Sequence, residues 1–201
     1  MYQLGSKVLH TARLTLRPFR ASDAPQAFAN WMSDPAVTHY LTWEPHADPA
    51  FTRHLLAMWE EEAKLDDVYH WAIVSDETGE AVGDISVVSL DRRTECAQVG
   101  YCLSRKLWGH GIMTEALTAV IDYLFGAAAL WRIEGTYVAD NAASGRVMEK
   151  CGMRTEGTAR QAWVLPSGER ADLVHRAVLR SEWQRCRRGA ARWVNLLWQA
   201  K

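Results

Sequence analysis

The chain has 201 residues, 48% hydrophobic and 23% charged, the balance of one globular domain large enough to bury a core. Lys and Arg number 23 against 24 Asp and Glu, a formal net charge of −1 that excludes a global field favouring nucleic acid or an anionic membrane. Met1-Tyr-Gln-Leu-Gly-Ser-Lys-Val8 lacks the apolar stretch of a signal peptide, and the longest near-continuous apolar run, Tyr123 to Trp131, is too short to span a bilayer, so a cytoplasmic protein is expected.

Residues 8 to 19 alternate at strand period, with Leu14 and Leu16 on one face and Arg13, Thr15 and Arg17 on the other. Ser22-Asp-Ala-Pro25 opens a helix, with Ser22 as N-cap and Pro25 in the first turn, and Asp34-Pro35 ends it. Residues 36 to 47 read as irregular. Asp48-Pro49 starts a second helix that runs to about Lys64, with Phe51, Leu55, Met58 and Trp59 along one side. A strand meander follows at 69–74, 82–90 and 96–103, turning at Glu77-Thr-Gly-Glu80 and Asp91-Arg-Arg-Thr94. The central helix, about 110–125, has a narrow polar stripe of Thr114, Glu115, Thr118 and Asp122, so it packs on a sheet. A strand at 130–138, a short helix at 142–151 ended by Gly152, and a hairpin of 153–164 with 170–180 complete the domain. The class is α+β, or mixed α/β, with a largely antiparallel sheet.

Cys96, Cys102, Cys151 and Cys186 form no C-x-x-C pair and read as buried small residues, and the seven histidines show no metal-ligand spacing; no metal is expected. Ten tryptophans admit two readings: filling of core and interface, or an aromatic-lined acceptor site.

The stretch Leu103-Ser-Arg-Lys-Leu-Trp-Gly-His-Gly-Ile-Met-Thr-Glu-Ala116 reads as a strand end, a glycine turn and a helix start. Gly109 and Gly111 allow unusual φ values and close approach of a ligand. The unpaired N–H groups of the helix start suit an anion such as a pyrophosphate, and Lys106, His110 and Thr114 can add side-chain contacts. No Gly-Lys-Ser/Thr follows, which excludes a Walker loop, and Thr114 stands where a Rossmann loop has its third glycine.

Downstream come Asp140-Asn-Ala-Ala-Ser144 and Val147-Met-Glu-Lys-Cys-Gly-Met153. The order of motifs resembles the GNAT superfamily of acyl-CoA-dependent N-acyltransferases. Lys106-Leu-Trp-Gly-His-Gly111 is similar to its pyrophosphate loop. Asn141-Ala-Ala-Ser144, Glu149-Lys-Cys-Gly152 and Thr11-Ala-Arg-Leu-Thr-Leu-Arg-Pro18 resemble elements of the branch containing ribosomal-protein N-terminal acetyltransferases. The resemblance covers 8 to 183 and implies a single domain, 1–183, with a twisted, mostly antiparallel sheet of about six or seven strands flanked by helices. It further implies a sheet splayed between Cys96–Leu103 and Ile133–Val138, with acetyl-CoA in the wedge. The cofactor would then touch Val99, Tyr101 and Leu103 on the strand, Lys106, Leu107, Trp108, Gly109, His110, Gly111, Ile112, Met113 and Thr114 on the loop and helix, and Asn141 with Ser144.

Acetyl transfer from a thioester needs a neutral amine, a stabilised oxyanion and a proton for the departing thiolate. The resemblance places Ser144 near the CoA sulfur, as the acid; the alternative is a helix-start Ser that bonds its own backbone. Asn141 suits a helix cap, a bond to the pantetheine amide, or both. Gly145 inside a helix costs about 1 kcal/mol against Ala and is expected to leave room for cofactor or substrate. The branch often carries Glu in an E-I-G-Y strand motif; here Gln98-Val-Gly-Tyr101 stands instead, and Gln98 cannot take a proton. Glu95, Asp84, or a water chain ending at a carboxylate or His70 remain as bases, each also readable as an ordinary surface charge. An α-amine is about 2.6 pKa units easier to deprotonate than Lys, about 3.5 kcal/mol, so a weak base favours an α-amine or weakly basic acceptor. His39, Tyr40 and Trp43, facing His70 and Trp71, form the expected acceptor site, with space-filling beneath the second helix as the alternative.

The leading expectation is an acetyl-CoA-dependent N-acetyltransferase acting on a small-molecule or peptide amine in a ternary complex, with no acyl-enzyme. A non-catalytic acyl-CoA-binding module and a protein-interaction module are the alternatives. In the tail, 184–201, Cys186, Ala190, Trp193, Val194 and Leu197 continue a helical face begun by Trp183. That face is expected to pack on the domain or on a second subunit, making a homodimer one outcome, rather than on a membrane.

Overall fold

A computed structural model describes residues 1–187. The meander forms where runs with β-branched and aromatic residues are separated by turns: β3 (His70–Ser75), a central strand buried on both faces, β4 (Ala81–Asp91) and β5 (Cys96–Leu103) pair antiparallel in sequence. The stretch expected to be one N-terminal strand is two short strands, β1 (Leu9–His10) and β2 (Leu14–Arg17), folded on each other. Thr11 makes the turn between them. Its amide donates to the Leu14 carbonyl at 2.9 Å, and its hydroxyl accepts from the Leu14 amide at 3.0 Å.

β6 (Arg132–Val138) adds parallel to β5. The terminal hairpin of β7 (Arg154–Val164) and β8 (Arg170–Leu179) then adds with β8 inside, giving the order β1-β2-β3-β4-β5-β6-β8-β7. The sheet therefore has eight strands, more than the sequence led one to expect, because the first strand divides and both hairpin strands join.

Helical segments cover both faces. The first helical stretch opens with a 3₁₀ turn, Ala21–Asp23, continues as α1 (Ala24–Ala27) and widens into a π turn, Phe28–Met32. Ser22 is not its cap. Arg20 stands at the N-cap position, and its amide donates to Asp23 Oδ2 at 2.9 Å, while the Arg17 guanidinium grips both Asp23 oxygens at 2.7 and 2.8 Å. The expected irregular stretch holds a short α2 (Pro35–Thr38) capped by Asp34. Then come α3 (Pro49–Glu62), capped by Asp48, α4 (Ile112–Gly126) and α5 (Ala142–Lys150).

On one face α4 lays Met113, Ala116, Leu117, Val120, Ile121 and Leu124 against Leu14, Leu16, Trp71, Ile73, Ile85, Ala97, Val99 and Ile133. On the other, α1, the π turn and α3 bury Trp31, Met32 and Leu56 with Phe19 against Ala72 and Ala81. A last helix, α6, begins at 180–187. Trp183 packs on Phe125 at 5.6 Å and donates its indole N–H to Asp122, which also pairs with Arg187 at 2.8 Å. The rest of the expected amphipathic tail, from 188 on, lies outside the described residues. Cys186 is exposed, unlike the other cysteines. Among the described residues no helix is long and apolar enough to cross a membrane.

Candidate functional site: a splayed sheet beside a glycine loop

The β5–β6 ladder runs over three residue pairs, Cys96 with Arg132, Ala97 with Ile133 and Gln98 with Glu134, and then stops. Beyond Gln98 the two parallel strands diverge, so their C-terminal halves form a wedge with unpaired backbone along its walls. Two helix starts flank the opening. β5 runs through Ser104 and a 3₁₀ turn, Arg105–Leu107, into α4, and β6 leads through Asp140 into α5.

The loop into α4 has the geometry its glycines permit. Gly109 and Gly111 have φ of +81° and +77°, in the left-handed region that side-chain-bearing residues rarely adopt. A β-carbon at Gly109 would meet nothing within 4 Å, so the turn stands open. Gly111 is the N-cap of α4 and offers no capping side chain, which leaves the first N–H groups of a 15-residue helix to an outside acceptor. The loop is fixed from behind. Arg13 donates to the His110 carbonyl at 3.1 Å and to Glu115 Oε2 at 2.7 Å, and the Thr11 hydroxyl adds a bond to Glu115 Oε1 at 2.6 Å. Burial pushes the Glu115 carboxyl up, but the bonds from Thr11 and Arg13 together hold it below its ordinary value. Trp108 is held by its indole N–H on the Leu103 carbonyl at 2.9 Å, and Arg105 pairs with Asp34 at 3.0 Å. From Gly111 a groove of about 500 Å³ runs along the polar stripe of α4, past Thr114, Glu115 and Thr118 to Lys150 of α5. His10 in that groove was not singled out by sequence, and Thr11 and Lys150 stood only within family motifs with no role of their own; the tell-tale was the narrow polar stripe itself.

At the start of α5, Asn141 is the N-cap, its Oδ1 accepting from the Ser144 amide at 3.2 Å. The Ser144 side chain points across the wedge, where its Oγ lies 2.9 Å from the Tyr101 hydroxyl. Tyr101 stands on the α4 side of β5 and packs on the large core; burial pushes its phenol well up, so it keeps its proton. Gly145 does not leave room for a ligand. An added β-carbon would lie 2.6 Å from the ring of Tyr137 on β6, so the missing side chain is the seat of that ring.

The candidate bases separate clearly. Glu95 precedes β5 in a left-handed conformation and pairs with the Met1 ammonium at 2.6 Å. It lies six residues back along the chain from Tyr101, about 20 Å at strand rise, and does not reach the wedge. Gln98 donates to Thr136 Oγ1 at 3.2 Å, linking the two strands at the point where they part. Asp84 faces away from α4, as the partner of Cys102 across the β4–β5 ladder. Its Oδ1 accepts from the Cys102 thiol and its Oδ2 lies 3.0 Å from His70 Nε2. His70 is boxed by Phe19 and Trp59, with ring centroids at 4.8 and 4.3 Å. Burial, then the neighbouring Asp84 charge, pushes the Cys102 thiol well up, so it stays protonated and is no nucleophile.

The expected acceptor residues are divided between the faces. Trp71 is fully buried on the α4 side, its indole N–H donating to the Lys7 carbonyl at 2.7 Å; it is a core residue, because the β3 register turns it away from its neighbour His70. Trp43 packs on the second core with Trp59 and Cys102, on the same side as His70, and meets the tilted ring of His46 at 5.3 Å. His39 and Tyr40 meet edge to face, His39 exposed. On that same side, beside the paired end of the β5–β6 ladder, is a cavity of about 390 Å³ lined by Arg132, Glu134, Glu156, Thr158, His175 and Arg176. Sequence reading missed it, since its residues come from three strands whose order only the sheet topology reveals. Among the described residues no group of three or more His, Cys, Asp and Glu could hold a metal ion.

The acetyltransferase (GNAT) domain family matches residues 13–154. An uncharacterized N-acetyltransferase of Bacillus licheniformis, p20, is 30% identical over 88% of this chain and 98% of its own length. The ribosomal protein uS5-alanine N-acetyltransferase of Escherichia coli is 28% identical over 87% of this chain and 92% of its own. The crystal structure of the ribosomal-protein-S5-alanine acetyltransferase of Vibrio fischeri superposes with a TM-score of 0.78 at 23% identity, over 89% of this chain and 99% of that one, a likeness of fold.

Proposed function

This chain belongs to the GNAT family of acetyltransferases, which use acetyl-CoA, and we propose that it moves the acetyl group directly onto an α-amine or another weakly basic primary amine. The observation that carries the reading is the wedge beyond Gln98 and Glu134, flanked by the open glycine loop on one side and Ser144 on the other. Two left-handed glycines, an uncapped helix start and the groove to Lys150 fit a pyrophosphate with its nucleotide. We assign Lys106 to Thr114 to that end, Val99, Tyr101 and Leu103 to the pantetheine wall, and Asn141 with Ser144 to its reactive end.

Bound acetyl-CoA supplies an acetyl thioester. Ser144 Oγ–H gives its proton to the departing sulfur as the C–S bond breaks, and regains one from solvent. The amine proton leaves on the opposite face of the sheet. Both Asp84 oxygens are engaged, one by Cys102 and one by His70, so Asp84 orients His70, and His70 Nδ1 takes the proton through water. Glu95 has no part in this. Trp43 and the cavity beside Gln98 supply acceptor contacts.

A base reached through water suits an amine that is already partly neutral at pH 7.5, as about a third of an α-amine is. The Escherichia coli relative, named for the terminal alanine of a ribosomal protein, supports the same class. The test is release of free CoA thiol with three acceptors: a peptide with a free N-terminus, the same peptide Nα-blocked but carrying Lys, and a polyamine. The free N-terminus should be turned over fastest. Turnover confined to the Lys peptide or the polyamine would overturn the acceptor class.

A further inference from the structure

Tyr101 has one hydroxyl proton and two acceptors within reach, both belonging to Ser144: the carbonyl oxygen at 3.1 Å and Oγ at 2.9 Å. The two lie so close that the phenol O–H can turn from one to the other without movement of the ring. This contact spans the wedge. It joins the strand on one side to the first turn of α5 on the other, at the residue proposed to serve the sulfur. The position is a fixed one. The Tyr101 ring is packed on the large core, and Ser144 is held by its own amide on Asn141.

We propose that Tyr101 is a positioning residue for Ser144: its O–H, resting on the Ser144 carbonyl, turns to donate to Ser144 Oγ and so directs the serine hydrogen to the sulfur. The proposal rests on the reading of Ser144 as the acid. A serine hydroxyl with no donor behind it rotates among staggered positions, and only one of these faces the sulfur. A phenol O–H on one Oγ lone pair removes that freedom and polarises the Oγ–H bond, because hydrogen bonds in a chain strengthen one another in a dry setting. Tyr101 itself loses no proton in the step. The serine proton passes to sulfur, the electron pair of the C–S bond stays on sulfur, and solvent returns a proton to Ser144.

The experiment is a double-mutant cycle of Tyr101→Phe and Ser144→Ala, read as kcat, KM for acetyl-CoA and melting temperature, with a free-N-terminus peptide as acceptor. Tyr101→Phe should lower kcat about tenfold, the worth of one well-placed hydrogen bond, with KM for acetyl-CoA changed by less than about twofold. In the Ser144→Ala background the same substitution should change kcat by less than about twofold, since there is no hydroxyl left to direct. Unchanged kcat in Tyr101→Phe overturns the proposal. So does an equal loss in both backgrounds, which would be the mark of a packing role. Unchanged kcat in Ser144→Ala overturns the Ser144 reading and this proposal together, whereas loss in Ser144→Ala with none in Tyr101→Phe overturns this proposal alone. If Tyr101→Phe melts below the assay temperature, difluorotyrosine at 101, a stronger O–H donor on the same ring, should raise kcat; no change would overturn the proposal.

Discussion

Arg13, on the turn into β2, grips Glu115 in the first turn of α4, a residue distant in sequence but adjacent in space, with 2.7 Å between Arg13 Nη2 and Glu115 Oε2. Its other Nη nitrogen holds the His110 carbonyl, so the N-terminal hairpin sets the shape of the glycine loop. The pair is half exposed on the Arg13 side, and its worth to stability is correspondingly small. Its worth to the loop is conformational. Arg13→Ala should raise KM for acetyl-CoA several-fold, about 1 kcal/mol, while moving the melting temperature little, as paired activity and melting measurements would show.

The same contact predicts an acid limb. The Glu115 carboxyl is held below its ordinary value in the fold, so the stability it contributes is present at neutral pH and is lost as pH falls through the carboxylate range. Glu115→Gln should flatten that limb. Chemical unfolding at neutral pH and at about pH 4 would give a smaller difference for the variant than for the parent; an equal difference would place the acid sensitivity elsewhere.

Gly145→Ala should destabilise the domain by about 1–3 kcal/mol, because the new methyl would sit in the Tyr137 ring. Had the glycine served to admit a ligand, the substitution would instead raise KM and leave melting unchanged. Calorimetric melting decides between the two, and pairing the change with Tyr137→Leu should restore part of the loss.

Much of this was legible in the chain. The glycine loop, the Asn141 cap, the meander and the splay between β5 and β6 follow from local rules and a family resemblance carried by contiguous motifs. What escaped depends on tertiary register. Trp71 and His70 are neighbours in a strand and so must face opposite ways; alternation alone does not say which faces the core. Glu95 is only three residues from Gln98, yet its left-handed turn and the Met1 ammonium take it out of the site. Gly145 looked like space reserved for a ligand because its occupant, Tyr137, comes from another element. The π turn at Phe28–Met32 has no sequence signature that we can give.

On the proton-accepting side, Asp84→Asn should lower kcat about a hundredfold, because a neutral amide holds His70 in the wrong tautomer, while KM for acetyl-CoA stays nearly unchanged. His70→Ala should do the same and, with Asp84→Asn, should not add. Steady-state rates across pH 6 to 9 test it, and a wild-type rate in either single variant would remove the pair from the mechanism.

The central claim is that the loop between β5 and α4 is where acetyl-CoA is held. Calorimetric titration of acetyl-CoA into Gly111→Val tests it most directly, because a branched side chain there is strained at φ +77° and would press on the Arg13 guanidinium, 3.8 Å from its β-carbon, so that the loop loses the shape that presents the first N–H groups of α4. The account predicts loss of measurable binding in a variant that still melts cooperatively. Binding as tight as that of the parent chain would contradict it.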